Sequence, residues 1–110
     1  MANTFKLKTK AGVTTLATVY TVPSSTTAIV LGLVIGNTTS GAITSTITLS
    51  SDTSDTETNA DVEIITNAAI PANSSLEVMG GNKIVMQTTD LIRVFGSAAV
   101  DVTLSIMEIT

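Results

Sequence analysis

Reactive chemistry in this chain would have to come from a short list of side chains. Asp52, Asp55, Glu57, Asn59, Asp61 and Glu63 follow one another closely enough to suggest a calcium loop. Set against the EF-hand pattern starting at Asp55, the chain has Ala60 where the sharp turn needs glycine and Thr66 where a bidentate glutamate belongs, so the pattern fails. Histidine is absent, which removes the commonest general base and the commonest metal ligand together. Cysteine is absent too, so neither a disulfide framework nor a thiolate metal site is expected. No G-x-S-x-G is present, and the Gly96-Ser97-Ala98 turn has no candidate base beside its serine. Paired carboxylates can hydrolyse glycosides, but most acids here fall in one polar stretch. A sugar site also normally offers aromatic platforms, and this chain has only Phe5, Tyr20 and Phe95. With no catalytic constellation assembled, an enzyme is not expected, and no cofactor, metal or small-molecule substrate is implied.

The sharper charge feature is Lys6, Lys8 and Lys10. Period-2 spacing places all three on one side of a single strand. They are three of the five basic residues, and everything after them is acidic by nine to two. One reading is an edge strand guarded by lysine against unwanted pairing. The other is an N-terminal strand or arm, residues 1–10, that docks on an acidic neighbouring subunit by strand addition.

The elements that carry these residues are strands. Phe5, Leu7 and Thr9 alternate with the lysines until Gly12 breaks the run. Thr15 to Val22 reads as a second strand, with Leu16, Thr18, Tyr20 and Val22 on one face. Thr27 to Gly36 is the strongest strand: Ile29, Leu31, Leu33 and Ile35 line one side and Val30, Gly32, Val34 and Gly36 the other. A strand apolar on both sides is normally covered on both. The Val30/Val34 side is therefore a candidate subunit contact, or else lies under a loop of its own chain. Ile43, Ser45, Ile47 and Leu49 alternate with threonines, and Ser51 to Ala60 is a polar, exposed loop. Asp61 to Ala69, a short strand at Leu76 and Val78, Ile84 to Gln87, Leu91 to Phe95 and a last strand from Val100 to Glu108 complete the pattern. Tyr20 and Phe95 both fall in strand patterns and are expected in the core. The sequons at Asn37 and Asn73 read as turns.

Eight or nine short strands with regular turn signals predict an all-β fold, an antiparallel β-sandwich or jelly-roll-like barrel occupying residues 1–110 as one domain. Hydrophobic residues make up 44% and aromatics 3%, so Ile, Val and Leu must fill the core. Charged residues are 13%, about half the usual share, and mean hydropathy is +0.47. The longest apolar stretch, Ala28 to Gly36, is too short to cross a bilayer as a helix, so the expected sink for the surplus apolar surface is other subunits. Net charge is −4, which argues against nucleic acid. Met1-Ala2-Asn3-Thr4-Phe5-Lys6 has no apolar h-region, so a secretory signal is not expected.

Three stretches carry a family resemblance: Met1 to Lys6, the segment Ala17-Thr18-Val19-Tyr20-Thr21-Val22-Pro23, and the closing run. The closing run comprises Ile70 to Leu76, Lys83 to Val94 and Val100 to Ile109. Together they resemble small virion structural proteins of marine tailed phages, cyanophages among them. The resemblance implies a non-enzymatic component of the particle, foremost a capsid decoration (cement) subunit that assembles in the host cytoplasm. Its implied partners are its own copies and other virion proteins. A neck or tail accessory subunit and a tail-tip carbohydrate-binding adhesin are the alternatives. The family's motifs are turn and strand signals, so no functional residue is carried over; the interface candidates remain Lys6, Lys8, Lys10, Val30 and Val34.

Overall fold

Alternating β-branched residues interrupted by Gly, Pro and Asn turns leave the backbone little choice but short extended segments. The computed structural model describes residues 2–51, 59–79 and 82–110. Nine strands form there: β1 (Asn3–Val13), β2 (Ala17–Thr21), β3 (Thr27–Asn37), β4 (Ile43–Ser50), β5 (Val62–Ile70), β6 (Ser75–Glu77), β7 (Ile84–Met86), β8 (Leu91–Gly96) and β9 (Val100–Ile109). Among the described residues there is no helix long and apolar enough to cross a membrane.

Every pairing is antiparallel, and the strands divide into two sheets. Sheet A runs β1-β9-β3-β6, with β7 also pairing β3 beside β6; sheet B runs β2-β8-β4-β5. The fold is a β-sandwich, and the two separate ladders make it a sandwich rather than a closed barrel. The chain steps between layers at most connections, so each sheet is built from strands distant in sequence. One cluster of buried side chains fills the space between them, with Leu33, Ile35, Ile47, Ile92, Leu104 and Ile106 at its centre.

Three of the register shifts decide how β1, β2 and β3 face that core. In β3 the partner register steps from Val30↔Ile106 to Gly32↔Ser105, which makes Leu31 the extra residue of a bulge. Before it Ala28 and Val30 point inward; after it Leu33, Ile35 and Asn37 do. A second bulge lies between Thr18 and Tyr20, so Leu16 and Thr18 are exposed while Tyr20 and Val22 are buried, not one shared face. The third lies between Lys10 and Val13. Gly12 does not end β1 there: at φ +66° it takes the left-handed conformation glycine tolerates, and its N–H donates to the Asp101 carboxylate at 3.0 Å.

Asn37 closes one end of the sandwich. Its side-chain N–H groups donate to the carbonyls of Gly41, Ile70 and Pro71 at 2.9, 3.0 and 3.1 Å, and its Oδ1 accepts from the Thr39 backbone and hydroxyl. The sequon asparagine is thus a buried clamp between β3, the following turn and the end of β5.

Candidate subunit interface

Lys6, Lys8 and Lys10 lie where β1 forms the outer edge of sheet A. Their register partners are Ile106, Leu104 and Val102, all buried, so the lysine side of β1 is the side that faces the sandwich interior. Lys6 and Lys10 are exposed and Lys8 is half-buried, as on an edge strand whose long stems can cover apolar surface. Lys6 Nζ sits 2.8 Å from Oε1 of Glu108, the residue that ends the inward-facing row of β9. The other carboxylate oxygen of Glu108 accepts a 2.5 Å bond from the Tyr20 hydroxyl, which comes from sheet B. Lys8 Nζ stands 6.0 Å from the centroid of the Tyr20 ring, within cation–π range.

The electrostatics follow from these contacts. The Lys6 ammonium first, then the Tyr20 hydroxyl, hold the Glu108 carboxyl below the usual glutamate range, against the opposing effect of burial. Burial, with the Glu108 carboxylate next to it, pushes the Tyr20 phenol well above its ordinary value. Tyr20 therefore remains a hydrogen-bond donor and Glu108 an acceptor at neutral pH. Lys6–Glu108–Tyr20 joins β1, β9 and β2 in one network across the two layers.

Val30 requires a correction. It is fully buried in the intramolecular core, so it is not a subunit contact: the Leu31 bulge changes which residues of β3 face in. Val34, four residues on, is 36% exposed on the outside of sheet A. Phe95 is half-buried on the outside of sheet B, opposite Thr46, and is not a core residue; Tyr20 is in the core as expected.

The outer face of sheet A holds what sequence reading did not find. The register aligns Phe5, Met107, Ile29 and Val85 in one row across β1, β9, β3 and β7. Phe5 is 72% and Val85 64% exposed. In the next row Leu7, 64% exposed, lies over Ser105 and Gly32, beside the bulged Leu31. On the other flank come Asn3, Ile109 and Thr27. None of these residues is charged. The outer face of sheet B is quite different, with Thr44, Thr46 and Thr48 on β4 and Arg93 and Phe95 on β8. The alternation of apolar residues in Phe5/Leu7 and at Ile29 was a usable signal; their alignment across non-consecutive strands was not.

Among the described residues, the other sequence candidates assemble into no metal-ligand group. Asp52, Asp55 and Glu57 lie outside the described residues. Of the remainder of that loop, Asp61 accepts from the Ser50 hydroxyl at 2.8 Å, Asn59 donates to Ser51, and Glu63 accepts from Thr66. Among the described residues no three His, Cys, Asp or Glu side chains group as metal ligands. The Ser97 hydroxyl accepts the Thr44 backbone N–H at 2.9 Å, which tethers the turn between β8 and β9 to β4.

No protein-family model matches the chain, and no curated protein matches it. Among solved structures, the chain is similar to one from work on Bacillus endospore appendages, which form a novel family of disulfide-linked pili. That likeness has a TM-score of 0.54 at 15% identity and covers 99% of this chain and 87% of the other. At that identity it concerns the fold: the whole β-sandwich is shared, not a part of it.

Proposed function

We propose that this chain is a non-enzymatic structural subunit of a tailed-phage virion, foremost a capsid decoration protein present in many copies. The observation that carries the assembly part is the uncharged apolar surface on sheet A, with Phe5, Leu7 and Val85 each more than half exposed. A free monomer gains nothing from such a surface, whereas a subunit among neighbours buries it. The virion part rests on the sequence resemblance at Met1 to Lys6, Ala17 to Pro23 and Ile70 to Ile109. The test is mass spectrometry and quantitative densitometry of purified particles. Hundreds of copies per particle are expected for decoration, and roughly three to eighteen would move the chain to the neck or tail, where cyclic symmetry sets the count. Its absence from particles would overturn the reading.

The fold likeness favours a second reading, a fibre subunit. This chain has no cysteine, so a fibre made from it would be held by non-covalent contacts, unlike the disulfide-linked pili. Negative-stain electron microscopy of the concentrated protein separates the two, because filaments of the chain alone belong to the second.

A further inference from the structure

Strand β1 is held by its backbone ladder and a few polar ties rather than by the core. Val13 is its only buried residue, and it lies past the register shift that follows Lys10. From Asn3 to Lys10 the strand pairs with β9 alone, and the ladder runs on through the mutual Ala2–Thr110 bonds of 2.9 Å. On the inner side Lys6 meets Glu108 at 2.8 Å, and Lys8 stands over the Tyr20 ring. None of these contacts needs β1 and β9 to belong to one chain. The first strand of an identical copy finds the same ladder, the same carboxylate and the same ring.

The connection to β2 is built to let β1 swing out. Thr14, Thr15 and Leu16 are all exposed, and they carry the chain from the edge of sheet A to the edge of sheet B. We infer that β1 exchanges reciprocally between two copies of this chain, the first strand of each taking its place beside the other's β9. The exchanged form keeps every β1–β9 contact, so nothing in the ladder is lost, and such swaps are a low-cost route to dimers. Straightened, the three hinge residues span only about 10 Å, so the two copies must meet at their hinges. Leu16, 52% exposed in the single chain, then lies in the one contact that is new. The lysine stripe supplies the specificity. Beside another β1 it sets like charges across a strand pair, whereas beside β9 Glu108 receives Lys6. The inference goes beyond the proposed function, which needs many copies but no particular joint between them, and does not rest on it.

Because the chain has no cysteine, introduced ones report cleanly. Thr9 and Thr103 are register partners, both exposed on the outer side of sheet A, so T9C and T103C leave the fold intact. The two single variants of the full chain are mixed at about 1 mM, diluted to about 5 µM and then oxidised in a glutathione buffer. In the control each is diluted before mixing. Undoing an exchange means breaking the whole ladder, so exchanged pairs outlast dilution, whereas surface contacts part. Non-reducing electrophoresis is expected to show about tenfold or more T9C–T103C heterodimer from the first mixture. Equal amounts from the two mixtures, or homodimers of either variant as abundant as the heterodimer, overturn the inference. Adding K6A to both chains is expected to speed the heterodimer's appearance about tenfold and leave its final amount unchanged, since the Lys6–Glu108 pair breaks on the way and re-forms in the product. A final amount that falls with K6A shows copies joined by another contact of Lys6, and overturns the exchange.

Discussion

Glu108 is the residue through which β1, β9 and β2 are tied together across the two layers. It is 5% exposed, and a carboxylate so placed needs its partners. Lys6 and Tyr20 supply them from β1 and β2. Because its folded pKa lies below the unfolded value, Glu108 contributes stability that is complete above the ordinary glutamate range and disappears as pH falls through the lower folded value. K6A is expected to cost about 1–2 kcal/mol at pH 7, less than a fully buried pair because the Lys6 side chain is 43% exposed. Urea denaturation at pH 7 and at pH 3 measures this, and the K6A deficit should shrink at the lower pH as the carboxyl protonates. An equal deficit at both values would show that Lys6 acts through its packing alone.

At the scale of elements, tight backbone approaches hold the two layers in register. Gly96 ends β8 where a Cβ would lie 2.6 Å from the Ala98 carbonyl oxygen, 2.8 Å from that of Val13 and 2.9 Å from a Val100 methyl. Two of these neighbours are backbone and belong to different strands or turns, so relief requires moving a strand end. G96A is expected to cost about 2–4 kcal/mol and lower Tm by roughly 10–20 °C, checked by thermal unfolding. Strand β1 illustrates a different kind of element logic. Its regular register from Asn3 to Lys10 leaves a long free edge, and the inward lysines are among the devices that keep such edges from pairing. K8V/K10V should fold as the wild type does yet aggregate on concentration, read by light scattering, because the apolar edge then meets no repulsion from its copies.

For the molecule as a whole, the decisive contrast is between its two outer faces. β4 presents Thr44, Thr46 and Thr48 to solvent, while sheet A presents Phe5, Leu7, Ile29 and Val85. Both sheets are long enough and antiparallel enough to alternate apolar-in and polar-out, and β4 does so more fully than the strands of sheet A. That asymmetry, rather than the total apolar content of the chain, sets the outer face of sheet A apart from that of β4. It also bears on what removing residues 1–10 would do. Asn3 to Lys10 pair with β9 of their own chain and hold Lys6 against Glu108, so truncation disturbs the fold as well as any contact with neighbours. Point substitutions on the outer side of β1 are the cleaner probe.

The all-β class and most strand positions could be read from the chain because turn residues and β-branched alternation are local properties. Val100 to Glu108 alternates in the sequence and alternates in burial, with Val100, Val102, Leu104, Ile106 and Glu108 all inward. Which side of β3 faces the core was not legible. A bulge is a relation between two strands, and the extra residue at Leu31 exists only against β9, some seventy positions later. One such residue moved Val30 into the core and left Val34 outside. The lysine stripe, too, was visible as a stripe, but only the pairing with β9 turned it toward the molecule's own interior, where Glu108 receives Lys6. The apolar row from Phe5 to Val85 was decided by tertiary structure alone, since it joins four strands that the sequence keeps apart. Local alternation determines that a face exists; sheet order and register determine which residues share it.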